Sequence, residues 1–371
     1  MRRLGCTFSS DACPTRSGGL RRLAPALSAL LVVALGCGED AKSPTAPEPG
    51  PALATTATTA LAFYQVSGGG VHTCGVTTDN RAYCWGRNLV GQLGDGTTTD
   101  RLTPVPVAGA LRFRQVSAGD GYACGVTTDD RAYCWGDNSF GQVGDGTMLT
   151  NRSTPVAVNG GRQFRQVSAG GAHTCGVTTS DEAFCWGVNG YGQLGDSSTA
   201  SQRLTPSRVA GTRRFRQVDA GELHTCGVTT NDRAFCWGYG RNGQIGDGKT
   251  YLRFWPRAVA GGLSFERVSA GVLHTCGETT LNRAYCWGDN GFGQLGNGTN
   301  TGPETCHYGP CSTRPVAVAG GRFFKQVSAG VRHTCGSTAA AAYCWGGNSF
   351  GQVGDGTTTD RLTPVPVAGA M

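Results

Sequence analysis

Residues 167–187 read Val-Ser-Ala-Gly-Gly-Ala-His-Thr-Cys-Gly-Val-Thr-Thr-Ser-Asp-Glu-Ala-Phe-Cys-Trp-Gly, and versions of this stretch occur six times in the chain. Aligned on their Cys-Trp-Gly ends, the copies place tryptophans at Trp85, Trp135, Trp186, Trp237, Trp287 and Trp345. Successive steps are 50, 51, 51, 50 and 58 residues. A fixed period of about fifty residues marks a solenoid or a propeller.

Each copy holds two short runs of β-forming residues about a tight turn. In the first copy these runs are 72–77 (His-Thr-Cys-Gly-Val-Thr) and 81–85 (Arg-Ala-Tyr-Cys-Trp), and 78–80 (Thr-Asp-Asn) supplies the turn. With Asp79 in the middle of the loop, Thr77 faces Arg81, and counting back in twos sets Cys74 opposite Cys84 on one sheet face. Directly opposed cysteines lie within bridging distance. In the last copy Cys335 and Cys344 are one residue closer in sequence. A turn centred on Ala339 and Ala340 restores the opposition. The pattern predicts cross-strand bridges Cys74–Cys84, Cys124–Cys134, Cys175–Cys185, Cys226–Cys236, Cys276–Cys286 and Cys335–Cys344.

Glycine fills 60 of 371 positions and charged residues only 15%, so turns are abundant and helices are not expected. The formal net charge of +7 is uneven: residues 1–36 hold five arginines and one aspartate, leaving +3 for the rest. No run of Lys and Arg interleaved with aromatics occurs in the repeats, so nucleic-acid binding is not expected.

Residues 1–37 have a basic start, a short apolar stretch after Arg21 and Arg22, and Ala34-Leu-Gly-Cys37 at the end. This fits a signal peptide and is short for a bilayer span. The last four residues resemble a bacterial lipobox, so Cys37 is the expected lipidation site; simple secretion and a buried core segment are the alternatives. Residues 38–60, with Pro44, Pro47, Pro49 and Pro51 among Ala and Thr, read as a linker. Residues 61–371 hold the repeats. The leader and fourteen cysteines beyond residue 60, in even pairs, both point to an oxidising, extracytoplasmic compartment, with lipid as the only membrane attachment.

Within a repeat the order is strand (63–67), hairpin (71–85), glycine-rich turn (91–96) and a last strand, 103–107 (Thr-Pro-Val-Pro-Val). Four strands per unit is the content of a propeller blade. Pro104 and Pro106 cannot donate to a central ladder, so this last strand belongs at the outer edge. The fold class read here is therefore all-β, a β-propeller.

Chemistry is sparse. His72 lies two residues from Cys74 and shares its strand face, which would suit a metal. In the second copy, however, Tyr122 replaces the histidine while Cys124 and Cys134 remain. The bridge is thus preferred over zinc or free thiols. His72, His173, His224, His274 and His333 recur too often for one Cys/His nucleophile site. Asp95, Asp145, Asp196, Asp247 and Asp355 sit in Gly-Asp turns, where Asx side chains cap the backbone; one carboxylate per turn is too few for calcium. Phosphate-loop patterns are absent. The sequence predicts no catalytic residues, no metal and no cofactor.

Departures from the repeat carry more information. Residues 249–255 (Lys-Thr-Tyr-Leu-Arg-Phe-Trp) place aromatics beside two bases where sister copies have Thr and Asp. Residues 300–313 form an insertion containing Cys306-His-Tyr-Gly-Pro-Cys311, read as a small bridged loop. Aromatic and Arg anchors typify interface hot spots, so Lys249, Tyr251, Arg253, Phe254, Trp255, His307 and Tyr308 are the candidate partner-binding residues.

Trp-Gly-x-Asn before Gln-Leu-Gly-Asp-Gly-Thr, Pro-x-x-Val after it, and Val-x-Ala-Gly-x-x-His-Thr next resemble the repeat of the RCC1 (regulator of chromosome condensation) family, over residues 61–371. The resemblance implies a β-propeller, usually of seven blades. Six copies are visible, so the ring has six blades, or seven with one missing or shared; residues 354–370 repeat 94–110 identically. Nuclear members lack the cysteine pairs. Family members include a nucleotide-exchange factor for a small GTPase, ultraviolet-light detectors and a secreted β-lactamase inhibitor. The fold serves many roles, so family resemblance does not fix function. The expected function is a monomeric, non-catalytic extracytoplasmic binding or scaffold protein that engages a protein or cell-surface partner through variable loops. A GTPase exchange factor and a secreted hydrolase inhibitor are the alternatives.

Overall fold

The computed structural model describes residues 60–369. The leader with Cys37, and the linker up to residue 59, lie outside the described residues.

Every repeat folds into an antiparallel sheet whose strands follow in sequence order. In blade one these are Phe63–Gly68, His72–Thr77, Ala82–Gly86 and Arg101–Pro106. Blades two to six span 113–157, 164–208, 215–258, 265–317 and 326–366. The result is a six-bladed β-propeller. First strands lie innermost, lining a polar channel of about 410 Å³ with residues such as Gln65, Gln115 and Gln166. Proline-bearing strands lie outermost in five blades. Blade five adds a fifth strand, Glu304–Cys306, outside its proline strand Gly309–Ala317.

The hairpin register is the one the sequence predicts: Cys74 pairs with Cys84, and Cys335 with Cys344 across the shorter turn. In the longer turns the third loop residue, Asn80 or its equivalents Asp130, Asp181, Asp232 and Asn282, takes positive φ. Asn and Asp tolerate that conformation better than other side chains. All six cross-strand bridges are formed, with Cα atoms 4.0–4.1 Å apart, and Cys306–Cys311 is a seventh.

The core lies between blades. Between blades one and two, the Cys74–Cys84 bridge, Val76 and Leu93 pack against Phe113, Val116 and Trp135. Four similar clusters fill the next junctions. Polar links recur with the same period. Gln65 Nε2 donates to Val116 O, while Val116 N donates to Gln65 Oε1. Trp135 Nε1 donates to Gln92 O at 3.0 Å. Gly94, at φ +68°, is what lets that loop approach: a Cβ there would sit 2.7 Å from the Trp135 ring.

At the sixth junction this packing has no counterpart among the described residues. Val116, Val167 and Val218 are buried, but Val66 is 57% exposed. Trp85 and Phe63 are only half-buried, and Gln326 and Ser328 are exposed. Blade six presents the donor face of a junction and blade one the acceptor face, each without its mate.

Candidate functional site

Three of the recurring histidines link neighbouring blades. His173 Nε2 lies 2.8 Å from Thr225 Oγ1 of the next blade, and His224 and His274 repeat the contact with Thr275 and Thr334. Burial lowers the pKa of each of these three imidazoles to about 3, so they are neutral at physiological pH. The neighbouring sulfurs are all in bridges.

Five of the six glycine-rich turns are fastened to their own outer strands by an Asp–Arg pair. Asp95 Oδ1 accepts from Thr97 N at 2.9 Å, and its Oδ2 accepts from Arg101 Nε at 3.0 Å. Asp145–Arg152, Asp196–Arg203, Asp247–Arg253 and Asp355–Arg361 repeat the ion pair. Hydrogen bonds from Thr357 and Arg361 hold the Asp355 carboxyl at about 2 despite some desolvation. In blade five Asn297 and Ser312 occupy the two positions together, so both halves of the pair are lost at once.

Those turns also reach across to the next blade, and this brings the two departures from the repeat together. Gly91 abuts Ser153, Gly141 abuts Leu204, and Gly192 abuts Phe254. By the same rule Gly243 abuts Thr313 of blade five. The insertion before that strand must therefore rise beside the irregular loop of blade four. His307 N donates to Arg241 O at 3.2 Å across the gap.

Blade four is irregular for a local reason. In the other blades a buried asparagine holds the turn: Asn88 Nδ2 donates to Thr97 O and Thr99 O, and Leu93 N donates to Asn88 Oδ1. Gly240 stands at that position in blade four, where a Cβ would collide with the Tyr251 carbonyl oxygen. Without the strut the 248–252 segment closes onto Gly240 and presents Tyr251 outward, 64% exposed.

Two hollows meet at Tyr251. One, of about 520 Å³, lies between Arg241, Tyr251, Thr305 and His307. The other, of about 560 Å³, is lined by Arg213, Lys249, Tyr251, Arg253 and Arg257. An aromatic wall continues from the first: His307 packs against Tyr308 with the rings tilted and their centres 4.6 Å apart, and Tyr191 meets Tyr239 edge-on at 5.2 Å. Burial, together with Tyr308 nearby, pushes the Tyr239 phenol up to about 12.

Of the seven residues singled out from sequence, Lys249, Tyr251, Arg253 and His307 line these hollows, and Tyr308 packs against His307. Trp255 is 49% exposed on the outer strand but lines neither hollow. Arg253 is held by Asp247, and Phe254 packs on the Gly192 turn of blade three. Sequence reading missed Tyr191, Tyr239, Arg241 and Arg257. The signal was there in the repeat columns: Arg257 stands where the other copies have Val105, Val156, Ser207, Val316 and Val365.

Fold and surface together define a bridged β-propeller carrying one irregular, aromatic and basic patch on a regular scaffold. The profile of the RCC1-like domain family matches residues 32–371, and the chain belongs to that family. Among curated relatives, the ultraviolet-B receptor UVR8 of Arabidopsis thaliana is 31% identical over 193 residues, 51% of this chain and 44% of that protein. Human regulator of chromosome condensation is 36% identical over 98 residues, 26% of this chain and 23% of that protein. The chain thus covers less than half the length of these relatives. Yeast RCC1 (Prp20), solved bound to Kap60, superposes with a TM-score of 0.73 at 22% identity, covering 82% of this chain and 74% of that one. Human WBSCR16 gives 0.73 at 20% identity, covering 83% and 82%. At such identity the superpositions establish the fold alone.

Proposed function

We propose that this protein is a non-catalytic, extracytoplasmic binding module that engages a protein partner through the blade four and blade five surface. The observation that carries the reading is the meeting of the two non-repeat segments at Tyr251. Blade four replaces small polar residues there with exposed aromatics and cations, blade five adds the 300–313 insertion, and the other four blades have neither departure. Rigid scaffolds that display variable loops are suited to recognition. Seven bridged cysteine pairs support an oxidising address, because thiols are kept reduced in the cytosol.

A GTPase-regulating role is the second reading, favoured by the similarity to regulator of chromosome condensation. It requires a cytosolic location. Fractionating the producing cells and counting free thiols in the purified protein separates the two. Envelope or medium recovery with oxidised cysteines is expected; a cytosolic protein with free thiols would favour the second reading. As bait, the protein should capture a partner that the Lys249→Thr/Tyr251→Thr variant does not. Equal capture by both would remove this surface from consideration.

A further inference from the structure

The patch has a charge pattern that specifies its ligand more narrowly, given the docking reading above. Arg213, Arg241, Lys249 and Arg257 are exposed. Among the described residues, Arg213, Arg241 and Lys249 have no carboxylate within ion-pair distance. Arg257 reaches only Asp247, at 4.0 Å, and that carboxylate is already matched by Arg253. The walls of the two hollows therefore hold five cations against one carboxylate.

Three of these cations are departures from the repeat. Lys249 stands where sister blades have Thr97, Thr147, Ser198, Thr299 and Thr357. Arg241 replaces small or aliphatic residues such as Ser139 and Ser349, and Arg257 replaces mainly valines. These three added cations thus sit together at one junction and are not shared by the sister blades. Guanidinium forks pair with planar carboxylates in a bidentate way, and Lys adds an unoriented charge.

The backbone beside the patch narrows the class to a peptide. Glu304–Cys306 is the edge strand of blade five, and no described strand pairs with its outer side. Outermost strands of the other blades carry prolines such as Pro104, Pro155 and Pro256, which blunt an edge; Glu304–Cys306 has none. Thr305 on that edge is exposed and lines the first hollow. An extended peptide can add to such an edge through its main chain while its side chains enter adjacent pockets. A polysaccharide offers no matching ladder.

We infer that the junction of blades four and five binds an acidic peptide segment of the partner, laid along Glu304–Cys306 with its carboxylates on Arg241, Lys249 and Arg257. The test uses the full chain and a fluorescent octa-glutamate peptide, read by anisotropy at physiological ionic strength, where screening acts beyond about 8 Å. Saturable binding is expected, weakened by about tenfold or more in Arg241→Ser/Lys249→Thr/Arg257→Val, each a residue or residue type of the sister blades. That variant should melt at the parent temperature, and octa-lysine should not bind. Absence of octa-glutamate binding, equal binding by the variant, or binding of a sulfated glycan alone would overturn the inference. If the partner is still captured through Tyr251 while octa-glutamate fails, the docking surface stands and only the acidic-peptide assignment falls.

Discussion

Ala123 lies opposite His72, where blades four, five and six carry Thr225, Thr275 and Thr334 for the histidine before them. Both nitrogens of His72 are consequently buried without a partner. Ala123→Thr should supply the missing hydroxyl and raise stability by about 1 kcal/mol, measured by denaturant unfolding; no gain would mean that the recurring His–Thr contact is neutral. Asp219 is the second informative position. It stands in a serine column, accepts from Ser168 Oγ and Ala270 N, and is pushed up to about 6 by burial. A raised carboxyl favours the protonated fold: its contribution is full below about pH 4 and is lost as pH rises through 6. Asp219→Ser should therefore stabilise the protein at pH 8, on the order of 1 kcal/mol, and leave it little changed at pH 4. Glu278 compensates a similar departure. Arg267 has replaced a glutamine and cannot accept, so the Glu278 carboxylate takes Val327 N instead.

The element that sets the blade is the bridged hairpin. In Cys226→Ser/Cys236→Ser the loss should be about 2–3 kcal/mol, because the bridge restrains the unfolded chain. Cys306→Ser/Cys311→Ser tests something else. That bridge ties the added edge strand to its neighbour, so hydrogen exchange over 304–313 should quicken while exchange in the inner strands stays unchanged. Spread of the effect to other blades would mean that the insertion is part of the common core. Hairpin register was legible from sequence because spacing in twos leaves no freedom once two cysteines must oppose. Proline likewise marked the outer strand. The shared site was not legible in the same way: Tyr251 and His307 are 56 positions apart, and nothing local links them. Their meeting depends on the reach of each turn over the next blade, Gly91 to Ser153 and Gly243 to Thr313, which becomes visible only once blades are stacked. Arg253 and Phe254 looked like anchors in the sequence, yet aligning the repeats puts Arg253 in the column of the turn-fastening arginines.

At the scale of the whole ring, the acid response follows from what the junctions bury. Burial lowers His72 to about 4 and His173, His224 and His274 to about 3, from an unfolded value of about 6.5. A depressed imidazole contributes stability above its unfolded pKa, and that contribution is lost as pH falls. Asp219 at about 6 and Glu278 at about 7 act in the opposite sense. Four imidazoles outweigh two carboxyls, so the denaturant midpoint should fall from pH 7 to pH 4; a rise would mean that the carboxyls dominate. Under the proposed function recognition falls to one junction among equivalents, which makes an internal control available. A photo-crosslinking amino acid at Tyr251 should trap a single extracytoplasmic protein on intact cells, and the same group at Thr99, its counterpart in blade one, should trap none. Equal trapping at both positions, or trapping only at Thr99, would contradict the account.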